Sequence, residues 1–293
     1  MAAGDTITQS LADSLDTVVA SARQIREQEG VMPNLVDKVT LEEGTGTSWR
    51  EISMAQLTAQ AITETTRLDN PQQMSDTAFA ITPTVVGIQT LITDRVAARV
   101  NKKSYAQLGS LAQNSIQRKK DEDGLAVIDG ATTQLNTANA ALASGFIAAA
   151  VYQISSNATE PGNPPYRAVF HGFSLKDIWD ELTAAVDTAE RSDISGITAR
   201  VFTEGLRGKI AGCEIYEDGN LTIDGDGDAK GGVFAQEAIV LVQGRSPRTA
   251  TIRREDIGGG ATVMYLYDEY AYGERSAGNW LFEIIADATA PTS

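Results

Sequence analysis

Hydrophobic and polar positions recur along this chain with two different periods, and the changes of period divide it. From Thr8 to Glu29, Leu11, Leu15, Val18, Ala22 and Ile25 fall at helical spacing with polar residues between them. That spacing predicts an amphipathic helix, stopped by Gly30 and Pro33. A helix this short is marginal alone and needs a surface to pack on. Residues 34–92 read as β. Val36, Val39 and Leu41 lead into the turn-rich Glu43–Ser48, Trp49–Ile52 resumes, and strand-type runs cover Thr58–Leu68 and Thr77–Ile92, with Val86, Ile88, Thr90 and Ile92 alternating. Much of this segment is polar on both faces. Such strands bury no core within one subunit, so the pattern predicts a protruding hairpin that lies on a neighbour.

The period then returns to helical. Thr93 caps a short helix over Asp94–Lys102. Ser104 with Gln107 makes a capping-box pattern before a long helix reaching Ile128, with Tyr105, Leu108, Ala112 and Ile116 as its apolar stripe and Gly130 at its end. Ala138–Ser155 predicts an alanine-rich helix with Leu142, Phe146, Ala149 and Ala150 on one face. Pro161, Pro164 and Pro165 mark a loop, and Tyr166–His171 is strand-like. Ser174 is the expected N-cap of a helix over Leu175–Val186, with Leu175, Ile178, Trp179 and Leu182 inward. Ile210–Tyr216 reads as a strand and Glu217–Gly232 as a turn-rich loop. Three strand-type runs close the chain, Val233–Val242, Ala261–Tyr272 and Trp280–Ile285, with Gly258, Gly259 and Gly260 as a turn.

Composition narrows the function classes. At 293 residues and 42% hydrophobic content, the chain is long and apolar enough to bury a real core. No stretch approaches the roughly 18 apolar residues of a membrane span, and the opening MAAGDTITQS lacks the basic and apolar regions of a secretory signal. A single cysteine, Cys213, permits no internal disulfide and suits a reducing cytoplasm. A formal net charge of −15 argues against tight, sequence-specific nucleic-acid binding. It is compatible with an acidic inner wall that repels a packed polyanion, and equally with surface charge that keeps concentrated protein soluble.

Candidate chemistry is thin. Asp224-Gly-Asp-Gly-Asp228 invites a calcium reading, but an EF-hand loop needs Gly at its sixth position and Glu at its twelfth, where Ala229 and Ala235 stand. An acidic surface turn is the better reading. His171 and Cys213 are the only residues of their types; a strand cysteine is more often a small core residue and a strand-end histidine a structural one. No phosphate loop is present, and no metal-ligand spacing. The run Arg118-Lys119-Lys120 before Asp121-Glu122-Asp123 reads as a solvated, self-paired helix face. Arg95, Arg99, Lys102 and Lys103 read as a solvated run too, the alternative being contact with phosphates or acidic neighbours. An enzyme using carboxylates such as Asp177, Asp180 and Glu181 is the rival from another class. No catalytic, metal or cofactor residues are expected.

The closing motifs carry a resemblance. Gly231-Gly-x-Phe-x-x-Glu-Ala-Ile239, then Tyr270-x-Tyr-Gly-Glu274, then a final strand rich in Ile resemble the end of the major capsid proteins of tailed bacteriophages, which share the fold named after phage Hong Kong 97. Leu41–Ser48 resembles the glycine-rich start of that family's extended loop. Asp121–Gly130 resembles the end of its spine helix. The strand ending in His171, followed by a helix with Asp177 and Trp179, resembles its axial domain, with Gly172 where many members have proline. The resemblance implies an α+β, Hong Kong 97-like fold with an N-terminal arm (1–33), an extended β-hairpin loop (34–80), a peripheral domain with the spine helix (81–135), an axial domain (136–248) and peripheral closing strands (249–293). It implies a non-enzymatic coat protein without cofactor, located in the virion after assembly in the bacterial cytoplasm. Such a protein self-assembles into the hexamers and pentamers of an icosahedral head around double-stranded DNA. Scaffold, portal and cement proteins would be further partners, with no membrane. An encapsulin-type nanocompartment shell is the alternative. Trp49, Arg50, Glu51 and Arg67, on or beside the hairpin, are the expected subunit-interface residues, since Trp and Arg most often anchor interfaces. Some family members cross-link subunits through a lysine on this loop. Between Glu42 and Met74 this chain has none.

Overall fold

The closing segment of the chain serves two sheets at once, and this sets the architecture. The computed structural model describes residues 30–44, 46–64, 71–99, 104–188 and 209–292. The helix expected over Thr8–Glu29, together with Arg67, Lys102 and Lys103, lies outside the described residues. In chain order the elements are α1 (Met32–Leu35), β1 (Asp37–Thr40), β2 (Trp49–Met54), β3 (Asp76–Ile81), β4 (Thr84–Thr93), α2 (Asp94–Arg99), α3 (Ser104–Asp129), β5 (Gln134–Leu135), α4 (Ser144–Ser155), β6 (Tyr166–Phe170), α5 (Gly172–Thr188), β7 (Lys209–Ile210), β8 (Cys213–Glu217), β9 (Asp228–Ala235), β10 (Ile239–Arg254), β11 (Ala261–Glu274) and β12 (Leu281–Asp287).

One sheet has the order β5-β12-β9-β6-β8-β7, the second β1-β10-β11-β4, and β2 with β3 forms a separate two-stranded ribbon. The apolar run Val233–Val242 is therefore not one strand. It ends β9 in the six-stranded sheet, turns through a 3-10 turn at Gln236–Ala238, and starts β10 in the four-stranded sheet. Gly231 and Gly232 sit mid-β9, where its neighbours come closest. A Cβ on Gly231 would lie 2.4 Å from the Val169 carbonyl oxygen, and one on Gly232 would lie 2.7 Å from that of Phe282. Only glycine permits that approach.

The main core gathers Ile128 of α3, Ile147 and Ile154 of α4, Val169 and Phe170 of β6, Ile178 of α5, Val233 and Phe234 of β9, and Leu281 and Ile284 of β12, all essentially excluded from water. Smaller clusters sit under β1 and the ribbon (Ile81, Val240, Val242) and at the far end of β11 (Leu91, Ala261, Val263). The long helix α3 runs against β11, β4, β9 and β12, burying Ala112, Ile116, Leu125 and Ile128.

Several elements depart from the sequence reading for physical reasons. The strand expected over Thr58–Leu68 is absent from its described part, 58–64. In its place the Gln72 side chain both accepts from the Thr58 amide (2.8 Å) and donates to the Thr58 carbonyl (2.5 Å), replacing a ladder pair. Ile210–Tyr216 is a hairpin rather than one strand. Ala211 and Gly212 both have positive φ (50° and 83°), as a two-residue turn with strand-matched twist requires. The loop expected over Glu217–Gly232 gives its last residues to β9, and the helix expected from Ala138 begins only at Ser144. The last strand, β12, pairs with β9 and β5 in the six-stranded sheet, apart from β10 and β11. The Arg118–Asp123 run is solvated only in part. Arg118–Glu122 and Lys119–Asp123 are exposed i, i+4 pairs. Lys120 is buried against Asp268 (3.1 Å) and Gln243 (3.2 Å), over the Tyr270 ring, and Asp121 is fully buried. Periodicity could not show this, because α3 is covered on more than one side.

Candidate assembly surface: the projecting hairpin and its root

The β2–β3 ribbon runs in register from Trp49↔Ile81 to Met54↔Asp76, and the Ala55 amide extends it to the Ser75 carbonyl (2.9 Å). Among the described residues, every position from 52 to 64 and from 71 to 78 is exposed. The apolar ones are exposed with the rest: Ile52 60%, Met54 68%, Leu57 59%, Ile62 60% and Met74 63%. Large apolar side chains concentrated on one projection of a subunit are the usual mark of a surface that another chain covers.

The root of the ribbon is held by a single cation. Arg275, directly after β11, donates from Nε to Glu51 Oε2 (2.7 Å), from Nη2 to Asp37 Oδ2 (3.0 Å) and from Nη1 to the Glu237 carbonyl (2.8 Å). Its guanidinium lies 6.0 Å from the centre of the Trp49 ring, and Trp49 in turn meets Phe79 edge-on (6.2 Å, 87°). Burial opposes the charge on Arg275, and the bonds from Glu51 and Asp37 outweigh it, so its pKa is raised. Gly273 completes the joint, since a Cβ there would strike Ile81 at 2.7 Å. One planar fork thus ties β1, β2 and the turn before β10 to the end of β11.

Of the expected interface residues, Trp49 and Glu51 are placed at this root, half-buried and bonded within their own subunit. Arg50 is exposed, and Arg67 lies outside the described residues. Sequence reasoning missed Arg275, Asp37 and Glu237. The available signal was Arg275 immediately following Tyr270-x-Tyr-Gly-Glu274, with Glu237 inside the other closing motif.

The groups considered as candidates for chemistry hold structure instead. Asp177 Oδ2 accepts from the Leu142 amide (3.1 Å), and Glu181 accepts from the amide and hydroxyl of Ser144 (2.8 and 2.9 Å), so one face of α5 caps the start of α4. Lys176 pairs with Asp180. His171 is the N-cap of α5, taking the role expected of Ser174. Its Nδ1 accepts from the Phe173 amide (3.2 Å), and burial lowers its pKa against the opposing pull of Glu217. Cys213 is fully buried and burial pushes its thiol up to about 12. It pairs with Tyr166 at one end of β6, whereas His171 follows the other end, roughly 16 Å away at strand rise. Asp224 Oδ1 accepts from the amides of Asp226 and Asp228 (both 2.9 Å), an acidic turn closed on itself. Among the described residues no group of three or more His, Cys, Asp or Glu is placed to hold a metal ion, and no helix is long and apolar enough to cross a membrane.

No protein-family model and no curated protein sequence matches the chain. Solved structures do match it over nearly its whole length. A structure from Mycobacterium phage Che8 is 15% identical, covering 92% of this chain and 97% of that one with a TM-score of 0.70. The head structure of Helicobacter pylori bacteriophage KHP40 is 12% identical over 98% and 99%, with a TM-score of 0.71. The capsid asymmetric unit of cyanophage Pam1 is 10% identical over 99% and 100%, with a TM-score of 0.72. At such identities the likeness is one of fold, and it covers 92% to 99% of this chain: the chain has the α+β, Hong Kong 97-like fold seen in these phage capsid structures.

Proposed function

We propose that this protein is the major capsid protein of a tailed bacteriophage, a structural subunit without enzymatic activity. Many copies would form the hexamers and pentamers of an icosahedral head that encloses double-stranded DNA. The observation that carries the reading is the ribbon: a subunit of this fold presents Ile52, Met54, Leu57, Ile62 and Met74 to water on a projection that buries none of them itself. A second copy supplies the missing cover. Trp49 and Glu51 serve this interface by fixing the ribbon's angle at its root, and Arg50 and Arg67 are proposed to reach the neighbour. Asp177 and Glu181 are committed to caps and Cys213 is buried with its thiol pKa raised, so these candidate groups serve the fold. Scaffold, portal and cement proteins are the further partners, and the mature location is the virion. No observation favours the nanocompartment alternative.

The test is electron microscopy of the overexpressed protein, with size-exclusion chromatography across salt and pH. Closed shells or capsomers are expected. A compact monomer under every condition at high concentration would overturn the reading, and shells purified with a bound cargo enzyme would move it to a nanocompartment.

A further inference from the structure

Where the chain enters the fold, two buried carboxyls from distant elements grip the same short segment. Asp121, in the middle of α3, accepts from the Met32 amide through Oδ1 (2.9 Å) and from Asn220 Nδ2 through Oδ2 (2.9 Å). Asp218, just after β8, accepts from the Val31 amide through Oδ2 (3.3 Å) and from the Asn220 amide through Oδ1 (2.9 Å). Both are fully buried, Asn220 bridges them through its side chain and its amide, and the charge on Asp121 acts on Asp218. Gly30 is pressed on Asp121 so closely that a Cβ there would lie 2.2 Å from its Cγ. Two buried carboxyls that share Asn220 and the same stretch of backbone, with no cation bonded to either among the described residues, ionise together only at extra cost, and a proton held by one relieves it.

We propose that Asp121 and Asp218 form a proton-operated clasp on the Gly30–Val36 root of the N-terminal segment. It is closed while the pair shares one proton and weakened when both carboxyls ionise. The proton passes to solvent, the pair goes from one negative charge to two, and no other bond changes. The surroundings favour the protonated form. Burial, first, and the Asp121 carboxyl, second, push Asp218 up to about 7 against the pull of the Asn220 and Val31 amides. From α3, Asp123 adds negative charge but bonds the Tyr270 hydroxyl, and Lys120 is spent on Asp268 of β11. Tyr272 of β11 faces Asp121 with its own pKa raised by burial and by that carboxyl, so it stays neutral. Glu217 precedes Asp218 at the end of β8, and its charge also acts on His171, which follows β6.

The sign follows from the raised value. In the open clasp the Asp218 carboxyl meets water and titrates at the ordinary value of about 4. In the closed form Asp218 holds its proton to a higher pH, because burial and the neighbouring Asp121 carboxyl raise its pKa. Closing is therefore most favourable below about 4, weakens by up to about tenfold per pH unit between the two values, and is flat above the upper one. This clasp is a property of the subunit and does not rest on the shell reading.

Amide hydrogen exchange at Val31 and Met32 in the full-length chain, corrected for intrinsic chemistry, tests it between pH 5 and 9. Protection is expected to fall by up to about tenfold per pH unit up to about pH 7 and then level off. In Asp218→Asn, whose amide donates permanently to Asp121, protection should be independent of pH. A pH-independent wild type, or an Asp218→Asn chain with the wild-type profile, would overturn the proposal. If that variant does not fold, the carboxyl-carbon shifts of Asp121 and Asp218 in the wild-type chain decide. A shared step well above the ordinary carboxylate range supports the clasp, and two ordinary ionisations overturn it.

Discussion

At the scale of single residues, two positions show how little room the fold leaves. Gly231 lies under Val169 and Phe170, with a backbone oxygen 2.4 Å from where a Cβ would sit. Backbone cannot move aside as a flexible side chain can. Gly231→Ala should destabilise the subunit by about 3 kcal/mol, read by chemical denaturation, with the midpoint falling and the slope unchanged. His171 offers a pH-dependent counterpart. Its Nδ1 must be unprotonated to accept from Phe173, and its folded pKa is lowered. The cap's contribution is therefore present above the unfolded value of about 6.5 and lost as pH falls through the lower folded value. His171→Asn caps at every pH. Between pH 7.5 and 5, the unfolding free energy of the wild type should fall relative to that variant, by at most what a cap is worth, about 1 kcal/mol. Taking the difference between the two chains cancels the opposite trend expected from Asp218. A constant difference across the range would show that the Phe173 bond contributes nothing.

At the scale of elements, the ribbon separates into a root and a blade with different expected phenotypes. Ile52 and Met54 are exposed and touch no core of their own subunit. Ile52→Asp with Met54→Asp should leave unfolding within about 0.5 kcal/mol of wild type, as surface changes do, while sharply reducing particle yield in sedimentation. Normal particles from that double variant would remove the blade from the interface. Trp49 is different. It packs on Phe79 and under Arg275, so Trp49→Ala should lower subunit stability by about 2 kcal/mol as well as impair assembly. Equal stability together with lost assembly would mean that the ring works only between subunits.

At the scale of the whole molecule, the absence of lysine between Glu42 and Met74 bears on how a shell would be held. An isopeptide bond needs an amine nucleophile, and arginine cannot substitute because it stays protonated. Lys38 sits before the ribbon, in β1, where its amine donates to Asn34 Oδ1 (3.2 Å). Particles boiled in detergent should run as one band near the 31.2 kDa subunit on a denaturing gel. A ladder of covalent multimers would refute a purely non-covalent shell.

What the sequence by itself determined was element identity wherever the pattern was long or was bounded by caps and turn residues. The long helix, the Gly258–Gly260 turn between β10 and β11, the strand before His171 and an unburied ribbon after residue 48 were all legible from period, caps and turn residues. The closing motifs were legible too as tight packing, because Gly231, Gly232 and Gly273 stand where a Cβ would strike a neighbour. Only the tertiary structure decided which sheet each strand joins. It split Val233–Val242 between two sheets, placed β12 beside β9, and sank Lys120 and Asp121 inside a helix whose charge run reads as solvated. It also brought Arg275 to Asp37 and Glu51, and Asp121 to Asp218. Periodicity reports how an element presents its own faces to water. Pairing and buried charge depend on what covers those faces, and the covering residues lie about a hundred or more positions away along the chain.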